Sequence, residues 1–215
     1  MTQSTRQAGD IPQYFYPNKM GRTVLQALGE VLSHVGLSAV LNLANLQQRI
    51  GDLPPDNLDK GYSFDELSLT LLTLEQLYGP RSGRGLALRT GRTCFKYGIR
   101  DFGLMIGSTE LSFRLLPLET KLRVGGGLFA ELFNNYSDQV VRVEDTPDRL
   151  FWHIERCPIC WKRKADTPIC HLAVGVLQEA LYWVSGGKYF NVEETRCIAK
   201  GDPTCTIAVD KQVIE

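Results

Sequence analysis

The sequence predicts an α+β fold in which amino-terminal helices pack on an antiparallel sheet, with a carboxy-terminal helix and hairpin. Three observations support this class. Apolar residues recur at three- and four-residue steps over most of residues 22–136, which is the spacing of helices. The pattern then becomes alternating up to residue 156, as in half-buried strands. One more helical stripe follows, flanked by two strand-like segments.

The first part of the chain is predicted to hold a flexible arm and one long helical region. Residues 1–20 carry two prolines and three adjacent aromatic residues, which suggests an arm that is disordered or packs on a neighbour. An apolar stripe covers residues 24–35, Gly36 interrupts it, and a second stripe continues to Leu46. Residues 52–61, with two prolines, are predicted to form a loop.

Three further helices are predicted before the first long strand. Ser63 followed by Glu66 is a capping box, so a helix begins there, and the Gly-Pro pair at 79–80 ends it. The apolar spacing predicts another helix from about residue 83 to 101 and a third over 118–136.

The last third of the chain is predicted to contain four strands and one helix. Thr167 is expected to cap this helix, Pro168 suits its first position, and a Gly-Gly pair follows its last apolar residue. The predicted strands are residues 139–143, 150–156, 188–197 and 204–209.

Composition limits the classes of function. Lys plus Arg equals Asp plus Glu, 24 of each among 215 residues, so no overall charge attracts nucleic acid or anionic lipid. The amino terminus has no apolar core like that of a signal peptide, and no apolar run approaches the length of a membrane span. We therefore expect a cytoplasmic protein without a membrane span. In a reducing compartment, clustered cysteines bind metal more often than they form disulfides.

Five of the six cysteines are clustered near the carboxy terminus: Cys157, Cys160, Cys170, Cys197 and Cys205. The first two form a CxxC pair that can present two thiolates to one ion. Cys170 falls in the first turn of a predicted helix, where the helix dipole favours the thiolate. The last two flank a turn that would bring them together. The sixth, Cys94, is expected to be a buried apolar residue.

Several sets of four ligands are possible, so the identity of the site stays open. Zinc suits thiolates and carboxylates together, and it is the leading interpretation. Three rival interpretations are a redox-active dithiol at Cys157 and Cys160, an iron–sulfur cluster, and simple burial of the cysteines as small apolar residues.

Aromatic residues are numerous enough in this region to line an apolar cavity, although each could equally be an ordinary core residue. His153 could donate a hydrogen bond to a ligand or be satisfied within the sheet. The candidate cavity residues are Phe151, Trp152, His153, Trp183 and Phe190.

Two segments carry a resemblance to a known family. They are Pro-Ile-Cys-His at residues 168–171, with Gly175 after it, and residues 192–207, which contain Glu-Thr-Arg-Cys-Ile-Ala-Lys-Gly-Asp-Pro-Thr-Cys. Together they resemble the 4-vinyl reductase domain family, which includes the sensory domains of phenol-responsive activators and shares a fold with TRAPP vesicle-tethering subunits. The match is good over residues 139–210.

The resemblance implies a TRAPP-subunit-like fold around a pocket for a hydrophobic molecule, and a zinc ion held by three cysteines and a glutamate. These ligands would be Cys170, Glu194, Cys197 and Cys205. In a regular strand, Glu194 and Cys197 would point to opposite faces, so a bulge or turn must intervene, or Glu193 takes the place of Glu194. The additional CxxC pair offers thiolates that could displace the carboxylate.

The sequence thus favours a single ligand-binding domain over residues 21–215, with a helical part at 21–137 and a metal-binding part at 138–210. Its function is predicted to be binding or sensing of a hydrophobic small molecule beside a structural zinc. Two rival functions are a protein of tetrapyrrole metabolism and a dimeric scaffold subunit. No nicotinamide or flavin motif and no acid–base pair support catalysis. A homodimer and a downstream protein partner are expected, and no nucleic acid.

Overall fold

The computed structural model describes residues 12–102, 113 and 115–214, and these residues form an α+β fold. The described helices are α1 (Asn18–Leu43), α2 (Phe64–Tyr78), α3 (Pro80–Phe102), α4 (Leu118–Tyr136) and α5 (His171–Ser185). The described strands are β1 (Phe15–Pro17), β2 (Lys60–Ser63), β3 (Val140–Asp145), β4 (Arg149–Arg156), β5 (Tyr189–Arg196) and β6 (Cys205–Ile214). Two short 3₁₀ helices lie at Gln47–Arg49 and Ile198–Lys200. The predicted fold class is confirmed.

Four strands form an antiparallel sheet in the order β3-β4-β6-β5, and β1 pairs with β2 in a separate two-stranded sheet. Trp152 of β4 lies opposite Val143 of β3 and Ile207 of β6. Since side chains alternate along a strand, Trp152 and Ile154 share one face, which is buried. This face lies under α3, α4 and α5, and the core is formed between them.

The break in α1 is at Ser33, with φ 66° and ψ 167°, and not at Gly36 as the sequence predicts. The two halves bury Leu25 and Leu28 before the break and Val40 after it. A break re-phases the helix so that both halves face the core. Gly36 has a different role, because a Cβ there would lie 3.1 Å from the hydroxyl oxygen of Tyr78.

The predicted capping box begins α2. The Glu66 amide donates to the Ser63 hydroxyl over 3.1 Å, and the Ser63 amide donates to the Glu66 carboxylate over 3.0 Å. Two donors that the helix would leave unpaired are thus satisfied. The same carboxylate pairs with Arg49 at 2.8 Å, which ties the 3₁₀ helix to α2.

The sequence predicts a flexible arm over residues 1–20, but residues 15–20 form a strand and the start of α1. Residues 1–11 lie outside the described part of the chain. β1 pairs with β2, and the aromatic side chains pack on the chain's own core. The ring of Tyr16 is 5.4 Å from that of Phe64, and the ring of Tyr14 is 5.1 Å from that of Trp161. The aromatic residues that suggested contact with a neighbour bury themselves here because β2 offers a strand partner.

The helix α5 begins later than the sequence predicts. Its first residue is His171 and its N-cap is Cys170, so Thr167 and Pro168 lie in the preceding loop. At the other end, Gly186 adopts the left-handed conformation, with φ 75°, and ends the helix as predicted.

The sequence predicts that no apolar run approaches the length of a membrane span, and helix α1 tests this prediction. By length and composition alone α1 could cross a membrane, with a mean hydropathy of 1.5 in its most apolar window, and 33% of that window is buried inside the protein. The core helix of a soluble protein passes the same test, so this is weak evidence for a span. The prediction therefore fails on length and composition, and residues such as Leu25 and Leu28 lie fully inside the core.

Candidate metal centre and apolar cavity

Six potential metal ligands from three separate segments meet in the interior of the protein. The loop after β4 supplies Cys157 and Cys160, and the N-cap of α5 supplies Cys170. Three more come from the closing hairpin: Glu194 on β5, Cys197 just after it, and Cys205 at the start of β6. All six are buried, and the five cysteines are at most 2% exposed. We call this group the thiol cluster.

Neighbouring sulfur atoms of the thiol cluster are spaced like the ligands of a tetrahedral metal ion. With a Zn–S bond of about 2.3 Å, the sulfurs of a zinc site lie about 3.8 Å apart. The Sγ–Sγ distances are 3.5 Å for Cys157–Cys170, 3.4 Å for Cys160–Cys205, 3.6 Å for Cys170–Cys205 and 3.9 Å for Cys197–Cys205. The sulfurs therefore lie close enough to share a metal ion within each of two overlapping ligand sets, and none of them is in a disulfide.

A β-bulge places the carboxylate. The register between β5 and β6 shifts between Glu194 and Arg196, as the sequence requires if Glu194 and Cys197 are to share one side. Glu194 is buried at 8% exposure, and Glu193 is exposed on the opposite face. Of the two glutamates that the sequence left open, Glu194 is the one that joins the thiol cluster.

The carboxylate of Glu194 has one satisfied and one unsatisfied oxygen. Oε2 accepts a hydrogen bond of 2.6 Å from the backbone amide of Cys170, and Oε1 is buried without a partner. Burial, and next the negative charge of Cys197, raise the pKa of Glu194 to about 9. A buried oxygen with no partner is costly, and a cation beside it would remove that cost.

The pKa values of the thiols in the cluster are shifted in different directions. Hydrogen bonding with Cys157, and then with the other three thiols, raises the pKa of Cys170. Although the bond with Cys157 raises the pKa of Cys160, its bonds with the remaining thiols lower it to about 5. The hydrogen bond with Cys160 raises the pKa of Cys197, but the hydrogen bonds with Cys170 and Cys205 outweigh it and lower this pKa to about 6. The cluster thus contains groups ready to lose protons to a metal.

The loop that carries the CxxC pair is fastened to the helical part. The Ser68 hydroxyl of α2 donates to the Trp161 carbonyl over 2.7 Å, and Arg163 pairs with Glu75 of α2 at 2.5 Å. The Ala165 amide donates to the Ala199 carbonyl over 3.0 Å. These contacts hold the loop, and with it the two cysteines, between α2 and the closing hairpin.

The geometry favours direct coordination of a metal ion over an iron–sulfur cluster or an isolated redox dithiol. The ligand atoms of Cys157, Cys160, Cys170 and Cys205 all lie within 4.8 Å of one another. An iron–sulfur cluster spreads its four thiolates around several irons and inorganic sulfides, and this spacing leaves no room for them. A dithiol at the CxxC pair would stand alone, whereas here each of its sulfurs contacts a further thiol.

An apolar cavity of about 110 Å³ lies beside the thiol cluster, between the helices and the sheet. We call it the larger cavity. Its polar groups are few: Tyr16, whose hydroxyl donates to Gln139, together with Thr23 and Cys94. Burial raises the pKa of Cys94 to about 12, so its thiol keeps its proton. The carbon lining includes Met20, Val24, Phe95, Ile99, Phe102, Phe129, Phe133, Trp152, Ile154, Leu172, Val176 and Leu177.

A second apolar cavity of about 70 Å³, the smaller cavity, lies next to the first. Five side chains line both cavities and form the wall between them: Phe95, Ile99, Phe129, Trp152 and Leu177. The two cavities are therefore separated by side chains that can change rotamer and not by backbone.

The predicted cavity residues divide by the face of β4 on which they lie. Trp152 lines both cavities and Trp183 lines the smaller one. Phe151 and His153 are a correction: they alternate with Trp152 and project from the other face of the sheet, where their rings stack at 6.0 Å. Phe190 is buried in the core but lines neither cavity. The sequence did not identify the lining residues of α3 and α4, although the apolar stripes of both helices were visible.

The histidines stay outside both sites. His153 Nδ1 is 3.0 Å from the Thr206 hydroxyl and Nε2 is 3.1 Å from Glu144, so it is satisfied within the sheet. His171, next to Cys170, is in neither ligand set. Burial, and next the charges of Arg84 and Arg163, lower the pKa of His171 to about 4, so it is neutral at pH 7.

Solved structures share this fold. An H-NOX protein from Shewanella oneidensis in the Fe(II)NO ligation state has a TM-score of 0.55 and 13% identity, covering 90% of this chain and 99% of that one. An Fe(II) unliganded H-NOX protein from K. algicida has a TM-score of 0.57 and 14% identity, covering 93% and 97%. At such identities the likeness establishes the fold alone. The phenol-responsive sensory domain of the activator PoxR, solved with phenol, has a TM-score of 0.49 and 21% identity, covering 67% and 72%.

No protein-family model and no curated protein matches this chain. The iron of the H-NOX structures raises the question of whether the cavity fits such an ion. Among the described residues that line the larger cavity there is no histidine or carboxylate, and the sulfur donors are the protonated Cys94 and Met20. The lining does not fit an iron centre, whereas the thiol cluster fits a thiophilic metal ion.

Proposed function

We propose that this chain is a binding or sensory module for a small hydrophobic molecule, stabilised by a zinc site at the thiol cluster. The observation that carries the proposal is the larger cavity, an interior space of about 110 Å³ with an almost wholly carbon lining. An engineered apolar cavity of about 150 Å³ stays dry and binds benzene. A molecule with a single aromatic ring is therefore the size class that fits.

The chemistry of the lining supports a ligand with one polar group. The Tyr16 hydroxyl and Gln139 already bond to each other, and both border the cavity. Either can turn a lone pair or proton to a ligand hydroxyl without leaving a buried group unpaired. The sequence resemblance to phenol-sensor domains suggests the same class, so phenol is the first probe and toluene tests how much the hydroxyl contributes.

Binding of phenol is measured by calorimetry and by the tryptophan fluorescence of the purified protein, since Trp152 lines the cavity. Gly98 of α3 lines the larger cavity, and a Cβ there meets no atom within 4 Å. We expect Gly98→Leu to fill the space and weaken phenol binding at least tenfold. Gly85→Leu is the matched control, since Gly85 lies on the same helix, is equally unobstructed and is not in the lining. Equal affinities of the two variants would contradict the cavity as the binding site.

Zinc is proposed because all candidate ligands are buried thiols and a carboxylate, a donor set that suits a closed tetrahedral site. Four of six groups would hold it: Cys170, Glu194, Cys197, Cys205, Cys157 and Cys160. Such a site leaves no position for water or substrate, so the ion would supply folding energy and no chemistry. Zinc analysis of protein purified without added metal tests this. Stable, metal-free protein would count against it.

An enzyme acting on tetrapyrroles is less well supported. A macrocycle of four pyrrole rings is much larger than a cavity of about 110 Å³, and the described lining has no carboxylate, histidine or lysine to move a proton. Absorption spectroscopy after adding a porphyrin distinguishes the two proposals. A stoichiometric shifted absorption band would favour the tetrapyrrole over a single-ring ligand.

A further inference from the structure

We propose that the thiol cluster holds two divalent ions that share the sulfurs of Cys170 and Cys205. This inference rests on the zinc site of the proposed function and extends it. Two four-coordinate ions that share one edge need six ligand groups, and six groups converge here. They form two overlapping sets of four, and both sets contain Cys170 and Cys205. Neither set has to be chosen over the other if each surrounds its own ion.

The first ion would lie between the CxxC pair and the two shared sulfurs. Cys157 is 3.5 Å from Cys170, and Cys160 is 3.4 Å from Cys205, sulfur to sulfur. The shared edge between Cys170 and Cys205 measures 3.6 Å. All are close to the edge of about 3.8 Å of a tetrahedral zinc–thiolate site.

The second ion would lie on the other side of the shared edge, between Cys197 and Glu194. Cys197 is 3.9 Å from Cys205, sulfur to sulfur. Glu194 is 8% exposed, and its Oε1 has no partner among the described residues. Its other oxygen, Oε2, accepts a hydrogen bond of 2.6 Å from the Cys170 amide. This bond fixes the carboxylate, so Oε1 stays in the cluster and is available to coordinate an ion. This orphaned oxygen is the observation that a single ion in the first set leaves unexplained.

Metal ions would have to neutralise the bound thiolates, since no salt bridge formed by the described residues includes any of the six groups. A backbone amide helps at one shared sulfur, since Ile198 donates to Cys205 over 3.2 Å.

With one ion, two buried ligands would have no role. A site in the first set leaves Cys197 and Glu194 unused, and a site in the second set leaves the CxxC pair unused. A single ion in the second set would leave unexplained the contacts that fasten the CxxC loop to α2 and to the closing hairpin. Zn²⁺ is the expected ion, and Cd²⁺ should replace it because both accept tetrahedral thiolate coordination.

The metal content of the full chain tests the inference directly. The protein is expressed with zinc in the medium, purified without chelator, and measured by native mass spectrometry and by zinc analysis per chain. Two zinc ions per chain is the expected result. One ion per chain overturns the shared pair but leaves the structural zinc of the proposed function standing. No ion removes both.

Substitutions assign each ion to its ligands. We expect Cys197→Ser to retain one ion per chain, Cys157→Ser to retain one, and Cys94→Ser, the control outside the cluster, to retain two. If Cys157→Ser abolishes metal binding and Cys197→Ser changes nothing, a single site in the first set is the correct description.

The wild-type protein alone gives a second measurement, which does not depend on variants that fold. After exchange with ¹¹³Cd, two NMR resonances are expected, split by scalar coupling through the two shared sulfurs. A single resonance, or two without coupling, contradicts bridging.

Discussion

Asp138 is the residue that ties the amino-terminal strand to the main sheet. Its carboxylate accepts a hydrogen bond of 2.8 Å from the Phe15 amide and pairs with Lys60 at 2.7 Å. Its carbonyl accepts from Arg156 over 3.0 Å. One side chain therefore joins β1, β2 and the start of β3. Burial opposes its ionisation, but the bonds from Lys60 and Phe15 prevail and lower the pKa of Asp138 below 3.8.

We expect Asp138→Asn to lower the free energy of unfolding by about 1 kcal/mol at pH 7, because Lys60 is partly exposed and its pairing is screened by solvent. The pKa of Asp138 is depressed in the folded state, so the carboxylate stabilises above the ordinary pKa of 3.8 and this stabilisation is lost as the pH falls through the folded value. Urea denaturation of both proteins at pH 7 and near pH 3 measures it. The difference should be smaller at the lower pH, because part of the carboxylate is then protonated.

Asp52→Asn is the control for this measurement, since Asp52 is exposed in the loop before β2. A pH-independent effect of Asp138→Asn would show that the lost hydrogen-bond geometry, and not the charge, is responsible.

At the same scale, the sequence predicted the thiol cluster well and the cavity poorly. Cysteine spacing is readable because metal ligands must be thiols or carboxylates, and few residues qualify. The choice between Glu193 and Glu194 needed the bulge in β5, which depends on the pairing with β6 and not on local sequence. Phe151 and Trp152 are adjacent and similar in composition, so only the register of β4 decides which lines the cavity.

At the scale of elements, the closest packing is between α3 and α5. A Cβ on Gly91 would overlap the Leu172 carbonyl oxygen and lie 2.8 Å from the Val176 amide nitrogen, and a Cβ on Gly175 would overlap the Leu88 carbonyl oxygen. The helices thus touch backbone to backbone at two glycines. This contact positions Cys170 at the start of α5 relative to the cavity wall on α3.

We expect Gly91→Ala to destabilise the protein by about 3 kcal/mol or more, because backbone atoms cannot move aside as a flexible side chain can. Gly85→Ala, on the same helix with nothing within 4 Å of the added Cβ, should stabilise by about 0.5–1 kcal/mol through helix propensity. Thermal denaturation of both variants is the measurement. A similar change in both would mean that the helices can separate at little cost.

Most element boundaries were predictable, and the exceptions have physical causes. The helix over 118–136 was placed correctly because its apolar spacing survives three central glycines. The start of α5 was not placed correctly. Thr167 and Pro168 are a local signal for a helix start, but they lie in the loop that follows the CxxC pair, and the helix begins after Cys170. β1 was missed because a three-residue strand has no period of its own and exists only through its partner β2.

At the scale of the whole molecule, the thiol cluster joins three segments that are far apart in the sequence. The CxxC loop, the start of α5 and the closing hairpin each place ligands in the cluster, and the CxxC loop also holds α2 through Arg163 and Glu75. Structural zinc sites carry apparent binding free energies of about 10–16 kcal/mol near neutral pH. That is as large as the whole stability of a typical domain.

We therefore expect that removing metal with a chelator under reducing conditions unfolds residues 157–205 first. Hydrogen exchange followed by mass spectrometry should show lost protection over the CxxC loop and the closing hairpin, with α1 and α2 protected for longer. Adding zinc back should restore protection. Unchanged exchange after complete metal removal would mean that packing alone holds these segments.

The predicted homodimer belongs to this scale as well. The second half of α1 exposes two large apolar side chains, Val35 at 78% and Leu43 at 58%. We infer that a second copy covers these two side chains in a two-fold arrangement. We expect a dimer in solution by light scattering, and a monomer after Val35→Lys with Leu43→Lys. Leu115→Lys, at 75% exposure outside α1, should leave the dimer intact. A wild-type monomer at micromolar concentration would exclude the dimer, and dissociation by the control as well would place the interface elsewhere than on α1.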